Sequence, residues 1–118
     1  MDRTLTITVS ADVRARMTSA MSRAVETGRY QGEYLDFRTP ALFFSKLSER
    51  RWNIVNALQG AGEVGVRELA RRLGRDVKRV HDDAAALAEL GLIEKTARGA
   101  LVCPYADIHV DMHLRKAA

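Results

Sequence analysis

The chain has 118 residues, 47% of them apolar and 29% charged, which suits one globular domain with at most a small appendage and excludes a wholly disordered chain. Its 19 Lys+Arg against 15 Asp+Glu leave a net charge of +4 and a pI of about 9.6, a balance that permits an acidic partner without requiring one. The single cysteine, Cys103, excludes an internal disulfide framework and a Cys-rich zinc site; with no apolar leader and no long apolar window, a cytoplasmic protein without membrane contact is expected.

Residues 4–9, TLTITV, alternate threonine with Leu5, Ile7 and Val9, the period-two pattern of a half-buried strand. Ser10 or Asp12 then caps a helix that runs to about Thr27, with Val13, Met17, Ala20, Met21, Ala24 and Val25 as its apolar stripe and Gly28 as its stop. Residues 33–38, EYLDFR, alternate again and are the candidate return strand against 4–9. Residues 1–38 therefore form a strand–helix–strand arm, a candidate surface for dimerisation or for a partner. Residues 39–118 form the second region.

That region opens with Thr39-Pro40, a cap with proline at the first helical position, ahead of Leu42, Phe43, Phe44 and Leu47. A second helix from Ser48 buries Trp52, Ile54, Val55 and Leu58 and ends at Gly60. After the loop 60–65, a third helix covers Val66 to Leu73, with Val66, Leu69, Ala70 and Leu73 inward, and Gly74 closes it. Asp76 opens a fourth, with Val77, Val80, Ala84, Leu87 and Leu90 inward and Gly91 at its end. Leu92-Ile93 begins a strand, Leu101-Val102-Cys103 supplies its partner, and Thr96 to Gly99 turn between them. The tail, Ile108 to Leu114, alternates strictly, as a third strand or an extended arm.

Two helices around Gly74 followed by a hairpin make a helix-turn-helix with a wing. The second helix of such a pair fits the major groove, where side chains near its N-terminus reach base edges. Charge points to the same place. Between Arg67 and Arg79 stand six basic residues and two acidic ones, a local +4 that equals the net charge of the whole chain. The expected roles are phosphate anchoring by Arg67, Arg71 and Arg72 and groove reading by Arg75, Lys78 and Arg79. Lys95 and Arg98 on the wing are expected at the backbone or minor groove. Asp82 either accepts from a cytosine amine or pairs with Lys78 four residues away, and the pairing is the expected role.

The stretch VRELARRLGRDVKRVHDDAAALAELGLIEK resembles the winged helix-turn-helix of MarR-like and ArsR-like bacterial and archaeal regulators. RELARRLGRDVKRVHDD, LGLIEK and PYADIHVDMHL together resemble a family of small predicted transcriptional regulators described as MarR-like, and the first 45 residues resemble it more loosely. The resemblance implies a homodimer that binds double-stranded DNA, most simply a repressor. Some similar regulators are encoded beside toxin genes, which adds a cognate toxin as a partner and an antitoxin role as the alternative. MarR-like proteins dimerise through long helices at both ends, and no long helix follows the wing here. The fold expected is thus α+β, mainly α: a winged helix-turn-helix with an N-terminal strand–helix–strand extension.

His109, Asp111 and His113 share one face of an extended tail. Consecutive same-face residues stand roughly 6–7 Å apart, so the three converge on one ion only where the strand bends or a second chain contributes. A polar face opposite Ile108, Val110, Met112 and Leu114 is the expectation, with no metal and no other cofactor. Cys103 has no basic neighbour in sequence to lower its pKa and is expected as a small buried hydrophobe. No phosphate loop, nucleophile elbow or HExxH occurs, and His81-Asp82-Asp83 point apart on a helix, so no enzyme is expected.

Overall fold

The structure, a computed structural model, describes residues 3–9 and 32–113. The expected helix to Thr27, with its Ser10 or Asp12 cap and its stripe from Val13 to Val25, lies outside the described residues, as does Leu114. Those described form an α+β fold with four helices, one three-stranded sheet and one two-stranded sheet. They fall into two compact units, one up to Ser45 together with Asp107 onward, the other Lys46–Ala106. The division thus falls after Ser45 rather than after residue 38, and the tail groups with the N-terminal strands. No helix among the described residues is long and apolar enough to cross a membrane.

In the first unit, β1 (Arg3–Val9) and β2 (Glu33–Phe37) pair in parallel, in register from Leu5 opposite Glu33 to Val9 opposite Phe37. This is the expected return pairing. The sheet order is β2-β1-β5, where β5 is Tyr105–Met112. Central β1 buries Leu5, Ile7 and Val9, and near its end Thr8 as well. The buried hydroxyl donates to Asp36 Oδ1 at 2.7 Å, which satisfies it. Arg3 forks onto Glu33 through Nε at 2.9 Å and Nη2 at 2.6 Å. Gly32 has φ of +95°, and a Cβ there would come within 2.8 Å of Thr4 Oγ1, so the entry to β2 needs glycine twice over.

The helix α1 (Pro40–Lys46) starts as its cap foretells, with Thr39 Oγ1 accepting from the Leu42 N–H at 3.2 Å. Of its expected apolar residues, Phe43, edge-on to Phe37 at 5.6 Å, and Leu47, just past the helix end, are buried; Leu42 and Phe44 are exposed. Seven residues make two turns, and that length buries one ridge rather than a full stripe.

The second unit is built from α2 (Glu49–Leu58), α3 (Val66–Leu73), α4 (Val77–Leu90) and a hairpin of β3 (Glu94–Lys95) and β4 (Leu101–Val102). Its core includes Leu47, Ile54, Val55, Leu58, Leu69, Ala70, Val80, Ala84, Leu87, Leu92 and Ile93. Gly74, left-handed at φ 64°, closes α3 by donating to the Ala70 and Arg71 carbonyls, and Asp76 caps α4 by accepting from the Arg79 N–H at 3.2 Å. Leu92 and Ile93 are core residues ahead of the strand, which begins only at Glu94. Hydrophobic burial rather than ladder pairing sets their place. Val64 bridges Leu101 through two backbone hydrogen bonds of 2.9 and 2.8 Å, adding a third segment to the hairpin. Val77, expected inward, is exposed, because the buried stripe of α4 starts at Val80.

Candidate nucleic-acid interface

The turn between α3 and α4 is tight, so the basic residues expected to act together come from one short segment. Their surroundings separate them into two groups.

Arg71 and Arg72 both reach back to Glu68. Arg71 Nε bonds Oε2 at 2.9 Å and its Nη2 contacts Oε1, while Arg72 Nε bonds Oε1 at 3.1 Å. One turn of helix separates these positions, which places them as neighbours on the surface. The hydrogen bonds from Arg71, then Arg72, hold the Glu68 carboxyl down at about 2, so it stays charged at any working pH. Both arginine side chains remain exposed, at 73% and 47%.

Arg75 is placed differently from the sequence expectation. Its side chain is only 18% exposed, and Nη2 donates to Asp83 Oδ2 at 2.7 Å. The other Asp83 oxygen accepts from Arg51 Nε of α2 at 3.1 Å. Arg51 Nη1 also donates to the Lys46 carbonyl at 2.9 Å. One carboxylate therefore ties α2, the inter-helix turn and α4 together. Burial pushes the Asp83 pKa up, but the hydrogen bonds from Arg75 and Arg51 outweigh it and leave it below the usual carboxylate value. Arg75 Nη1 is buried with no hydrogen-bond partner among the described residues. Arg75 is thus removed from the groove-reading set: its guanidinium is turned into the fold. Asp83 and Arg51 were missed in the sequence. Asp83 lies three residues after Val80 and four before Leu87, at the margin of the buried stripe, and that spacing was the available signal.

The remaining cations stay outward. Arg67 on α3, Lys78 and Arg79 in the first turn of α4, and Lys95 and Arg98 on the hairpin are exposed and make no ion pair among the described residues. The expected Lys78–Asp82 pair is absent; Asp82 stands instead 3.7 Å from His81 Nδ1. The hairpin turns at Thr96 to Gly99 as expected, with the Thr96 N–H on the Ala100 carbonyl at 2.8 Å and Gly99 at φ 80°. A cavity lined by Val66 of α3, by His81, Ala84, Ala85 and Ala88 of α4 and by Lys95, Gly99 and Leu101 of the hairpin places the hairpin along one flank of α4.

Elsewhere, no group of three or more His, Cys, Asp or Glu among the described residues is arranged to hold a metal ion. His113 Nε2 lies 3.1 Å from Asp111 Oδ1. Cys103 is buried, and that burial pushes its thiol pKa up.

The model of the HVO_A0114 family matches residues 46–110, more than half of the chain. The matched span holds α2, α3, α4, the hairpin and most of β5. No curated protein and no solved structure matches the chain.

Proposed function

The chain belongs to the HVO_A0114 family, and we propose that it is a sequence-specific DNA-binding transcriptional regulator of winged helix-turn-helix type, working as a homodimeric repressor. The observation that carries this reading is the set of five outward cations with no ion-pair partner among the described residues: Arg67, Lys78, Arg79, Lys95 and Arg98. They lie on the two helices around Gly74 and on the hairpin beside them, within one compact unit. A phosphate backbone rewards such a group, because each contact releases condensed counterions.

In this reading α4 enters the major groove by its N-terminal end. Lys78 and Arg79 reach base edges, and Arg79 grips a guanine through two hydrogen bonds. Exposed Val77 offers methyl contact to a thymine. Arg67 anchors phosphate; Arg71 and Arg72 do so less strongly, because Glu68 already occupies them. Lys95 and Arg98 lie against the backbone or minor groove. Arg75 and Arg51, through Asp83, set the pose of α4 without touching DNA. Two copies related by a two-fold axis place their α4 helices about 34 Å apart, on a pseudo-palindromic site.

The test is titration of the full chain against DNA from upstream of its own gene and against a scrambled duplex, at several salt concentrations. The expected preference is about a thousandfold or more, with affinity falling steeply as salt rises. Equal binding to both duplexes removes sequence specificity, and no binding to either removes the DNA reading.

A further inference from the structure

The segment Asp107-Ile108-His109-Val110-Asp111-Met112-His113 is complementary to itself read backwards. Laid antiparallel on a second copy about Val110, it sets Asp107 opposite His113, Ile108 opposite Met112, His109 opposite Asp111, and Val110 opposite itself. Every carboxylate meets an imidazole, and every apolar side chain meets another. A two-fold axis normal to the sheet keeps each face on its own side, so the polar and apolar pairs do not mix. Moving the centre to His109 puts Asp107 opposite Asp111, and moving it to Asp111 puts His109 opposite His113. Centres at Ile108 and Met112 each match one kind of pair, Asp107 with His109 or Asp111 with His113; among these centres only Val110 matches all four residues at once.

The fold presents this segment where such pairing is possible. β5 is an outer strand of the order β2-β1-β5, and no strand lies on its other edge among the described residues. Its eight residues hold no proline or lysine, the residue types that most often blunt an open edge, and its two aspartates find imidazoles opposite them in the pairing about Val110. Asp107, His109 and Val110 are exposed. Asp111 contacts His113 at 3.1 Å on the same side of the strand, and pairing with a second copy exchanges that contact for one across the two-fold axis. The other outer strand, β2, lacks this property: about Leu35 it sets Glu33 opposite Phe37 and Tyr34 opposite Asp36.

We infer that the β5 edge pairs antiparallel with the β5 edge of a second copy, in register about Val110, joining two three-stranded sheets into one of six strands. This deepens the homodimer in the proposed function and rests on that part of it. Its test uses no DNA, so the two can fail separately.

Sedimentation of the full chain at tens of micromolar is expected to give a dimer. Val110→Cys places two thiols at directly opposite positions, where Cα atoms stand about 4.5–5.5 Å apart, within disulfide reach. Mild oxidation should link most of that variant as a covalent dimer, with the bond mapped to position 110 by peptide mass. Asp107→Cys puts the two thiols roughly 20 Å apart and should link at one tenth of that yield or less. A charge swap adds a second measurement. At pH 6, His109→Asp alone and Asp111→His alone should each weaken the dimer tenfold or more. The double swap should restore it to within about threefold. A monomeric wild type overturns both the dimer and the register. A dimer with equal cross-linking at positions 107 and 110, or one indifferent to the single swaps, overturns the register alone and leaves the homodimer standing.

Discussion

Arg71, Arg72 and Arg75 before the start of α4, and Lys78 and Arg79 just inside it, belong to one basic run in the sequence, yet they do different work. The first three are engaged by carboxylates of their own unit, Glu68 and Asp83. The last two have no ion-pair partner among the described residues and stand open to solvent. The lesson is one of availability: a guanidinium held by a carboxylate must surrender that contact before it can grip a phosphate, whereas an unpaired one gives up only water. The same contrast separates arginines tied into the fold from those open to a partner. Arg75 is mostly buried and holds the helices; Arg79 is exposed and, in the proposed function, reads bases.

The largest effect that tests this contrast is expected at Asp83. Asp83→Asn leaves Arg51 and Arg75 facing a neutral amide while both stay largely buried, and should cost about 2–3 kcal/mol, since breaking a buried pair costs about 3–5 and this one retains some solvent. The check is a lowered urea midpoint at unchanged slope. The Asp83 carboxyl is held below its unfolded value of about 3.9. Its contribution is therefore fully present above that value and is lost as pH falls through the folded pKa. The gap between wild type and variant should stay constant from pH 7 to 5 and close below about pH 4. A gap that persists in acid assigns the loss to packing rather than to charge.

Next in size is Arg79→Ala, expected to cost about 1–3 kcal/mol on the cognate site and little on a scrambled duplex. Equal losses on both would show that α4 presents a different face to the groove. Glu68→Gln works in the opposite direction. It frees two guanidiniums and should tighten both duplexes a few-fold while steepening the slope of log affinity against log salt by up to about two units. Because the Glu68 carboxyl sits at about 2, this gain should not vary between pH 6 and 8. The smallest expected difference lies between Arg67→Ala and Arg72→Ala. The first should flatten the salt slope by about one unit and the second by clearly less, because Glu68 already engages Arg72. Equal slopes would mean that the carboxylate lets go on binding.

Much of the fold was legible in the residues. The period-two run at 4–9, the Thr39-Pro40 and Asp76 caps, and the stops at Gly74, Gly91 and Gly99 are local signals, and they mark the elements now described. The errors fall where burial overrides pattern. Leu92-Ile93 looks like a strand by composition but fills the core. Val77 fits the apolar spacing of α4 but sits one turn before the core begins. Leu42 and Phe44 belong to a helix too short to cover them.

The candidate site divides in the same way. Sequence alone determined the position of the basic run, the turn within it and the hairpin behind it, because capping, glycine conformation and charge count act over a few residues. Only the tertiary structure decided which charges are free. Arg51 and Asp83 are 32 residues apart, and Asp83 and Arg75 are eight apart. They meet because α2 and α4 pack on a shared apolar core that lies between their local signals. An ion pair is a property of distance in space, and sequence spacing sets that distance only within one helix, as it does for Glu68 with Arg71 and Arg72.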